Sequence, residues 1–96
     1  MLKIDKEFIA RMKEEFNPAS YELTKGIVRD HLKTAKEIAA SGLSDGSGLI
    51  GAARGRVKIY LLHQENPDDA EYQLQAQLLQ DEISEVEAIL MRGKAA

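Results

Sequence analysis

The chain has 96 residues, which is enough for one domain that buries a core without metal ions or disulfides. Apolar residues make up 44% and charged residues 30%, a composition that argues against an intrinsically disordered chain. There is no cysteine, so disulfides and thiolate metal sites are excluded. Charges near the N-terminus interrupt the apolar run that a signal peptide needs, so we expect a cytoplasmic protein, or a component of a larger assembly, without membrane contact.

The charge is distributed unevenly along the chain. The net charge is −3, but residues 1–62 hold 11 basic and 8 acidic residues, whereas residues 63–96 hold 2 basic and 8 acidic residues. Opposite charges in the two parts can pair within one molecule, or they can favour head-to-tail association between copies. The sequence leaves both possibilities open.

The first part of the chain predicts a short helix followed by a long one. Apolar residues at three- and four-residue spacing predict a helix over Asp5–Phe16, with Asp5 as its N-cap. Asn17 is the expected cap of a second helix, because proline suits the first helical position. We expect this helix to span Pro18–Ser41 and to end at Gly42 in the left-handed conformation.

The third element follows a loop rich in glycine and serine, residues 41–48. Apolar spacing predicts a helix that starts between residues 47 and 52 and ends near Gln64. A strand is the alternative, because Val57, Ile59 and Leu61 also alternate, and Gly51 and Gly55 each cost a helix about 1 kcal/mol.

The fourth predicted helix is the most regular one. It follows Asn66-Pro67 and extends to about Arg92, with acidic residues in its first turn, where the helix dipole favours them. Three further apolar residues widen the apolar arc, which indicates either a helix buried by several neighbours or a partner-binding surface. The main stripe is Tyr72, Ala76, Leu79, Ile83, Val86 and Leu90, and the flanking residues are Leu74, Leu78 and Ile89.

These elements predict an all-α fold of two helical hairpins, each a short helix followed by a long one, packed as a small irregular four-helix bundle. We expect a single domain over residues 1–96. The first hairpin would span residues 1–42, the loop residues 43–48 and the second hairpin residues 49–96. An offset of 51 residues aligns Tyr21 with Tyr72 and Gly42 with Gly93. Duplication and chance register of two amphipathic helices both explain this similarity.

Signals for catalysis and metal binding are weak. His31 and His63 are the two histidines, and neither lies in a metal-binding pattern of the HExxH or Glu-x-x-His type. The serines of the loop have no evident base nearby, and no nucleophile-elbow pattern surrounds them. We therefore predict no enzyme activity, no catalytic residues, no metal and no cofactor.

An anion site is the alternative functional hypothesis. The residues Gly46-Ser47-Gly48-Leu49-Ile50-Gly51 fit G-x-G-x-x-G and open a helix, although no strand precedes them as in a dinucleotide fold. With Arg54 and Arg56 this loop could hold an anion or nucleotide. The basic cluster of Arg54, Arg56 and Lys58, with the stripe Lys25, Arg29, Lys33 and Lys36, could instead contact nucleic acid.

The preferred hypothesis is a non-enzymatic helical module for protein–protein interaction or assembly. Its partner would be another protein or a second copy in a homo-oligomer, as in small adaptor, virion-assembly or host-regulating proteins. The predicted contact residues are basic on one side and apolar on the other: Arg54, Arg56 and Lys58, with Tyr60, Tyr72, Leu74 and Leu78.

Overall fold

The computed structural model describes residues 5–7 and 17–95 of the chain. Within the segment 17–95 there are three helices, which we call α1 (Tyr21–Ser41), α2 (Ser47–Leu62) and α3 (Ala70–Ala95), and no described residue lies in a strand. The prediction of an all-α fold is therefore confirmed. The predicted four-helix bundle of two hairpins is not matched by these three helices, and the predicted helix Asp5–Phe16 lies outside the described residues except at 5–7.

The start of α1 differs from the prediction, because Ser20 and not Asn17 is the N-cap. The Ser20 hydroxyl accepts a hydrogen bond from the Leu23 N–H at 3.3 Å. Asn17 stabilises a turn instead: its side-chain oxygen accepts from the Ala19 N–H, and its carbonyl accepts from the Ser20 N–H. The Asn-Pro pair thus forms a turn that precedes the helix. At the other end Gly42 is left-handed, with a φ of 79°, as predicted.

The start of α2 lies close against α1. Gly46, the residue before α2, is buried and has a φ of 77°. A Cβ at this position would lie 2.8 Å from the carbonyl oxygen of Ala35 in α1. Two separate features therefore require glycine at position 46: the left-handed backbone conformation and the close approach of the start of α2 to α1.

The segment after the loop is helical, so the strand alternative for it is wrong. Its buried residues Ile50, Ala53, Val57 and Tyr60 follow helical spacing, which places one continuous face against the core. The helix ends at Leu62, two residues before the predicted end. Gln64 instead donates through its side-chain amide to the carbonyls of Tyr60 and Ala19, which links the end of α2 to the turn before α1.

All three helices contribute to one apolar core, and each pair of helices is in contact. Burial of these side chains is the main stabilising term, at roughly 1.5–3 kcal/mol for each large apolar residue. α3 begins at Ala70 and extends to Ala95, three residues beyond the predicted end. The buried core residues are Val28, Leu32 and Ala35 of α1, Ile50, Ala53 and Val57 of α2, and Ala76, Leu79 and Ile83 of α3.

Candidate interaction surface

α3 carries one ion pair on each of its two flanks. Arg29 of α1 lies 3.0 Å from the Glu82 carboxylate, and Arg54 of α2 lies 2.9 Å from the Glu87 carboxylate. Arg54 also donates to the side chain of Gln80 at 3.0 Å. Partly exposed ion pairs of this kind contribute about 0–1 kcal/mol each to the stability of a fold. Here they show how α3 is oriented and add little to the stability. The remaining side of α3 is exposed, and towards its C-terminal end it borders α1 across grooves that Glu85 and Ile89 line.

The outward side of α3 combines exposed leucines and isoleucine with carboxylates. Leu74 is 61% exposed, Leu78 is 51% exposed and Ile89 is 44% exposed. Asp81 and Glu85 are exposed as well, and their spacing places all five residues on one side of the helix. We call these five residues the outer strip; at 1.5 Å per residue it is about 22 Å long.

The outer strip contrasts with the core side of the same helix. Leu79 is fully buried, whereas its chain neighbour Leu78 is half exposed. Of the two explanations for the wide apolar arc, burial by neighbouring helices is not what the structure shows for Leu74, Leu78 and Ile89. α3 therefore has two apolar sides, and within the described part of the chain one of them packs into the core while the other is exposed.

The carboxylates of the outer strip form no ion pair with the described residues. Among the described residues, neither Asp81 nor Glu85 has a cation within 4.0 Å; Asp81 accepts a hydrogen bond from the neutral amide of Gln77 at 2.8 Å. Lys33 and Lys36 line a shallow groove of about 290 Å³ beside Glu85. The predicted basic stripe of α1 thus lies beside the acidic edge of α3, which makes that stripe less suitable for nucleic acid.

Two of the predicted contact residues belong to a tyrosine cluster in which each helix contributes one ring. Tyr60 lies 5.9 Å from Tyr21 and 6.4 Å from Tyr72, measured between ring centroids, and its hydroxyl donates to the Gln75 side chain. Burial raises the pKa of Tyr60 above its ordinary value of 10.0, and Tyr72, Tyr21 and Glu71 add to this effect. Tyr60 is 1% exposed and Tyr72 is half-buried, so Tyr60 is a core residue and not a surface contact.

The three predicted basic contact residues occupy different environments. Arg54 is engaged with α3, as described above. Arg56 is half-buried, and its Nε and Nη2 atoms are buried without a hydrogen-bond partner among the described residues. Lys58 is exposed. Of the seven predicted contact residues, Lys58, Leu74 and Leu78 are the ones that lie on the surface, and only the two leucines share a face.

The sequence interpretation missed the acidic residues of the outer strip and left Ile89 out of the predicted contact set. The pattern contained a usable signal, because Leu74, Leu78, Asp81, Glu85 and Ile89 repeat at helical spacing on the side opposite the main apolar stripe. What the pattern alone could not show was whether neighbouring helices bury the flanking residues Leu74, Leu78 and Ile89.

The geometry around the glycine-rich loop does not favour an anion site. The Asp45 carboxylate accepts a hydrogen bond from the Ser47 N–H at 2.9 Å, so it places negative charge at the start of α2. The adjoining cavity of about 240 Å³ has two carboxylates in its lining, from Asp45 and Glu87, and no basic side chain. Arg54 is directed towards α3 and does not line this cavity.

Other kinds of site are not found in the described part of the chain. Residues 5–7 and 17–95 contain no group of three or more histidine, aspartate or glutamate side chains arranged to hold a metal ion. None of the described helices is long and apolar enough to cross a membrane. No family model matches the chain, and comparisons with curated proteins and with solved structures find no similar protein.

Proposed function

We propose that this protein is a non-enzymatic helical interaction module and that it binds a helix of a partner protein along the outer strip. The observation that carries the proposal is the exposure of Leu74, Leu78 and Ile89 in line on a helix whose opposite face is fully packed. An exposed apolar strip on an otherwise well-packed small protein is a typical feature of protein–protein contact surfaces.

The size of the strip sets an expectation for affinity. Covering the exposed fractions of the three apolar side chains would contribute about 3 kcal/mol, at roughly 2 kcal/mol for each fully buried side chain. Association itself costs at least about 4 kcal/mol in lost rotational and translational freedom. The apolar strip alone would therefore not hold a partner, and its carboxylates must add to specificity and attraction.

The chemistry of the strip selects a basic amphipathic partner. Asp81 and Glu85 lie between Leu78 and Ile89, so a helix that covers the strip brings its own side chains next to two carboxylates that have no ion-pair partner in segments 5–7 and 17–95. A partner with lysine or arginine beside its apolar residues would complement these charges, whereas an acidic partner would be repelled.

The test is a titration with two designed peptide helices of equal length, one with lysine and one with glutamate beside a leucine stripe. We expect the basic peptide to shift the backbone amide resonances of the outer strip in nuclear magnetic resonance spectra, and the acidic peptide to leave them unchanged. Leu78→Glu should abolish the shifts. Leu43→Glu is the matched control, because Leu43 is 82% exposed but lies in the loop after α1. If neither peptide shifts the strip, or if the Leu78→Glu protein responds as the unmodified protein does, the proposal is wrong.

A further inference from the structure

A second exposed surface lies on the outward side of α2. Leu62 is 76% exposed and Ile59 is 38% exposed, with the exposed Lys58 beside them. Gly51 and Gly55 continue this side of the helix towards its N-terminus, as expected from their spacing. We call these five residues the α2 face.

The α2 face is complementary to the outer strip in charge and in polarity. α2 contains three basic residues and no acidic residue, and Lys58 has no ion pair among the described residues. The outer strip has the opposite charge, with Asp81 and Glu85 beside its leucines. Both surfaces are apolar strips on helices whose other sides are buried in the core.

Nothing among the described residues 5–7 and 17–95 explains the two glycines of the α2 face. Neither has a positive φ, and a Cβ added at Gly51 or Gly55 would meet no atom of another element within 4 Å. Each glycine nevertheless costs α2 about 1 kcal/mol relative to alanine. A partner helix packed closely against α2 would supply a steric reason that the described residues do not supply.

We propose that the partner of the outer strip is the α2 face of a second copy of this chain. This inference rests on the proposed function and specifies the occupant of the same surface. Lys58 of one copy would lie beside the carboxylates of Asp81 and Glu85 of the next, and Leu62 would pack against Leu74 and Leu78. The two surfaces differ, so the contact is head-to-tail, and an open assembly ends in a free outer strip on one end copy and a free α2 face on the other.

A symmetric contact between two outer strips is the main competing arrangement. In an antiparallel pair of α3 helices, the carboxylates of Asp81 and Glu85 from both copies would meet near the centre of the contact. Like charges placed opposite each other destabilise an interface, and no basic residue of the strip offsets them. The head-to-tail contact avoids this repulsion.

The experiment combines one blocking substitution in each surface. Gly51→Leu fills the α2 face and leaves the outer strip intact, whereas Leu78→Glu disrupts the strip and leaves the α2 face intact. Sedimentation equilibrium over a range of concentrations should show self-association of the unmodified protein, weakened at least about tenfold by either substitution. An equal mixture of the two variants should form a one-to-one heterodimer and stop there, because one matched pair of surfaces remains.

Gly26→Leu is the matched control for the glycine substitution. Gly26 is an exposed glycine inside α1, a Cβ at this position would meet nothing within 4 Å, and it lies outside both surfaces. This variant should associate as the unmodified protein does. Far-ultraviolet dichroism and thermal melting of every variant verify folding.

The outcomes separate the inference from the proposed function. If Gly51→Leu associates normally while Leu78→Glu does not, or if the mixture forms no heterodimer, the head-to-tail contact is refuted. If the unmodified protein stays monomeric at every concentration, the inference is also refuted. In each of these cases the peptide titration still decides separately whether the outer strip binds a basic helix.

Discussion

Replacing Gly46 by alanine tests whether the close approach of α2 to α1 stabilises the fold, and Gly42→Ala is its matched control. Both glycines have nearly the same φ, 77° and 79°. A Cβ at Gly42 would meet nothing within 4 Å, whereas a Cβ at Gly46 would lie 2.8 Å from the Ala35 carbonyl oxygen and 3.2 Å from the Ala35 Cβ. The two substitutions therefore share the backbone penalty and differ in the steric one.

The expected free energies follow from these two terms. A left-handed conformation costs a residue with a Cβ about 1–2 kcal/mol, and alanine recovers about 0.4–1 kcal/mol by restricting the unfolded chain. Gly42→Ala should thus lower the free energy of unfolding by about 1 kcal/mol. Forcing a methyl group into an occupied site adds about 1–3 kcal/mol, so Gly46→Ala should lower it by about 2–4 kcal/mol.

Urea unfolding, followed by far-ultraviolet dichroism, measures both values by linear extrapolation. The slope of the free energy against urea should not change, because neither substitution alters the surface exposed on unfolding. Equal losses for the two variants would refute the close approach of the helices at Gly46, since the backbone term alone would then account for both.

Two further predictions concern the cap of α1 and the tyrosine cluster. Ser20→Ala should lower the free energy of unfolding, measured with urea, by about 1 kcal/mol, and Asn17→Ala should lower it by clearly less. The reason is that Ser20 caps the helix, whereas Asn17 stabilises the preceding turn. A larger loss for Asn17→Ala than for Ser20→Ala would identify Asn17 as the cap. Because the pKa of Tyr60 is raised above 10.0 in the folded protein, the folded state keeps the phenol proton to higher pH than the unfolded chain does. The stability that this buried phenol contributes is therefore complete below pH 10.0, and it is lost as the pH rises through the pKa of the folded state. Urea unfolding on both sides of pH 10.0 should show a weaker alkaline loss for Tyr60→Phe than for the unmodified protein, and equal losses would contradict this assignment.

Helix locations could be predicted from local patterns because helices depend on local spacing. The left-handed end at Gly42 and the core positions Ala76, Leu79 and Ile83 follow from residue type and period alone. The start of α1 could not be placed correctly, because Asn17-Pro18 suits a helix start and a preceding turn equally well. The hydrogen bonds of the folded chain distinguish the two: Leu23 donates to the Ser20 hydroxyl, and the Ala19 and Ser20 N–H groups donate to Asn17.

The candidate contact residues were less predictable because they depend on pairings between distant parts of the chain. Tyr60 was predicted as a contact residue, although its helical spacing with Ile50, Ala53 and Val57 places it on the buried side of α2. Arg54 finds its partners Gln80 and Glu87 across the fold, 26 and 33 residues away, which no local pattern reports. Part of the uneven charge along the chain is balanced within the molecule, because Arg29 and Arg54 of the basic part pair with Glu82 and Glu87 of the acidic part.

The tyrosine cluster gives this protein a built-in optical reporter. The chain has three tyrosines and no tryptophan, and its tyrosines meet at one point, with one ring from each helix. Near-ultraviolet signals from tyrosine therefore come from the junction of α1, α2 and α3. A loss of these signals while helical dichroism persists would record the separation of intact helices, a step that backbone signals alone do not detect.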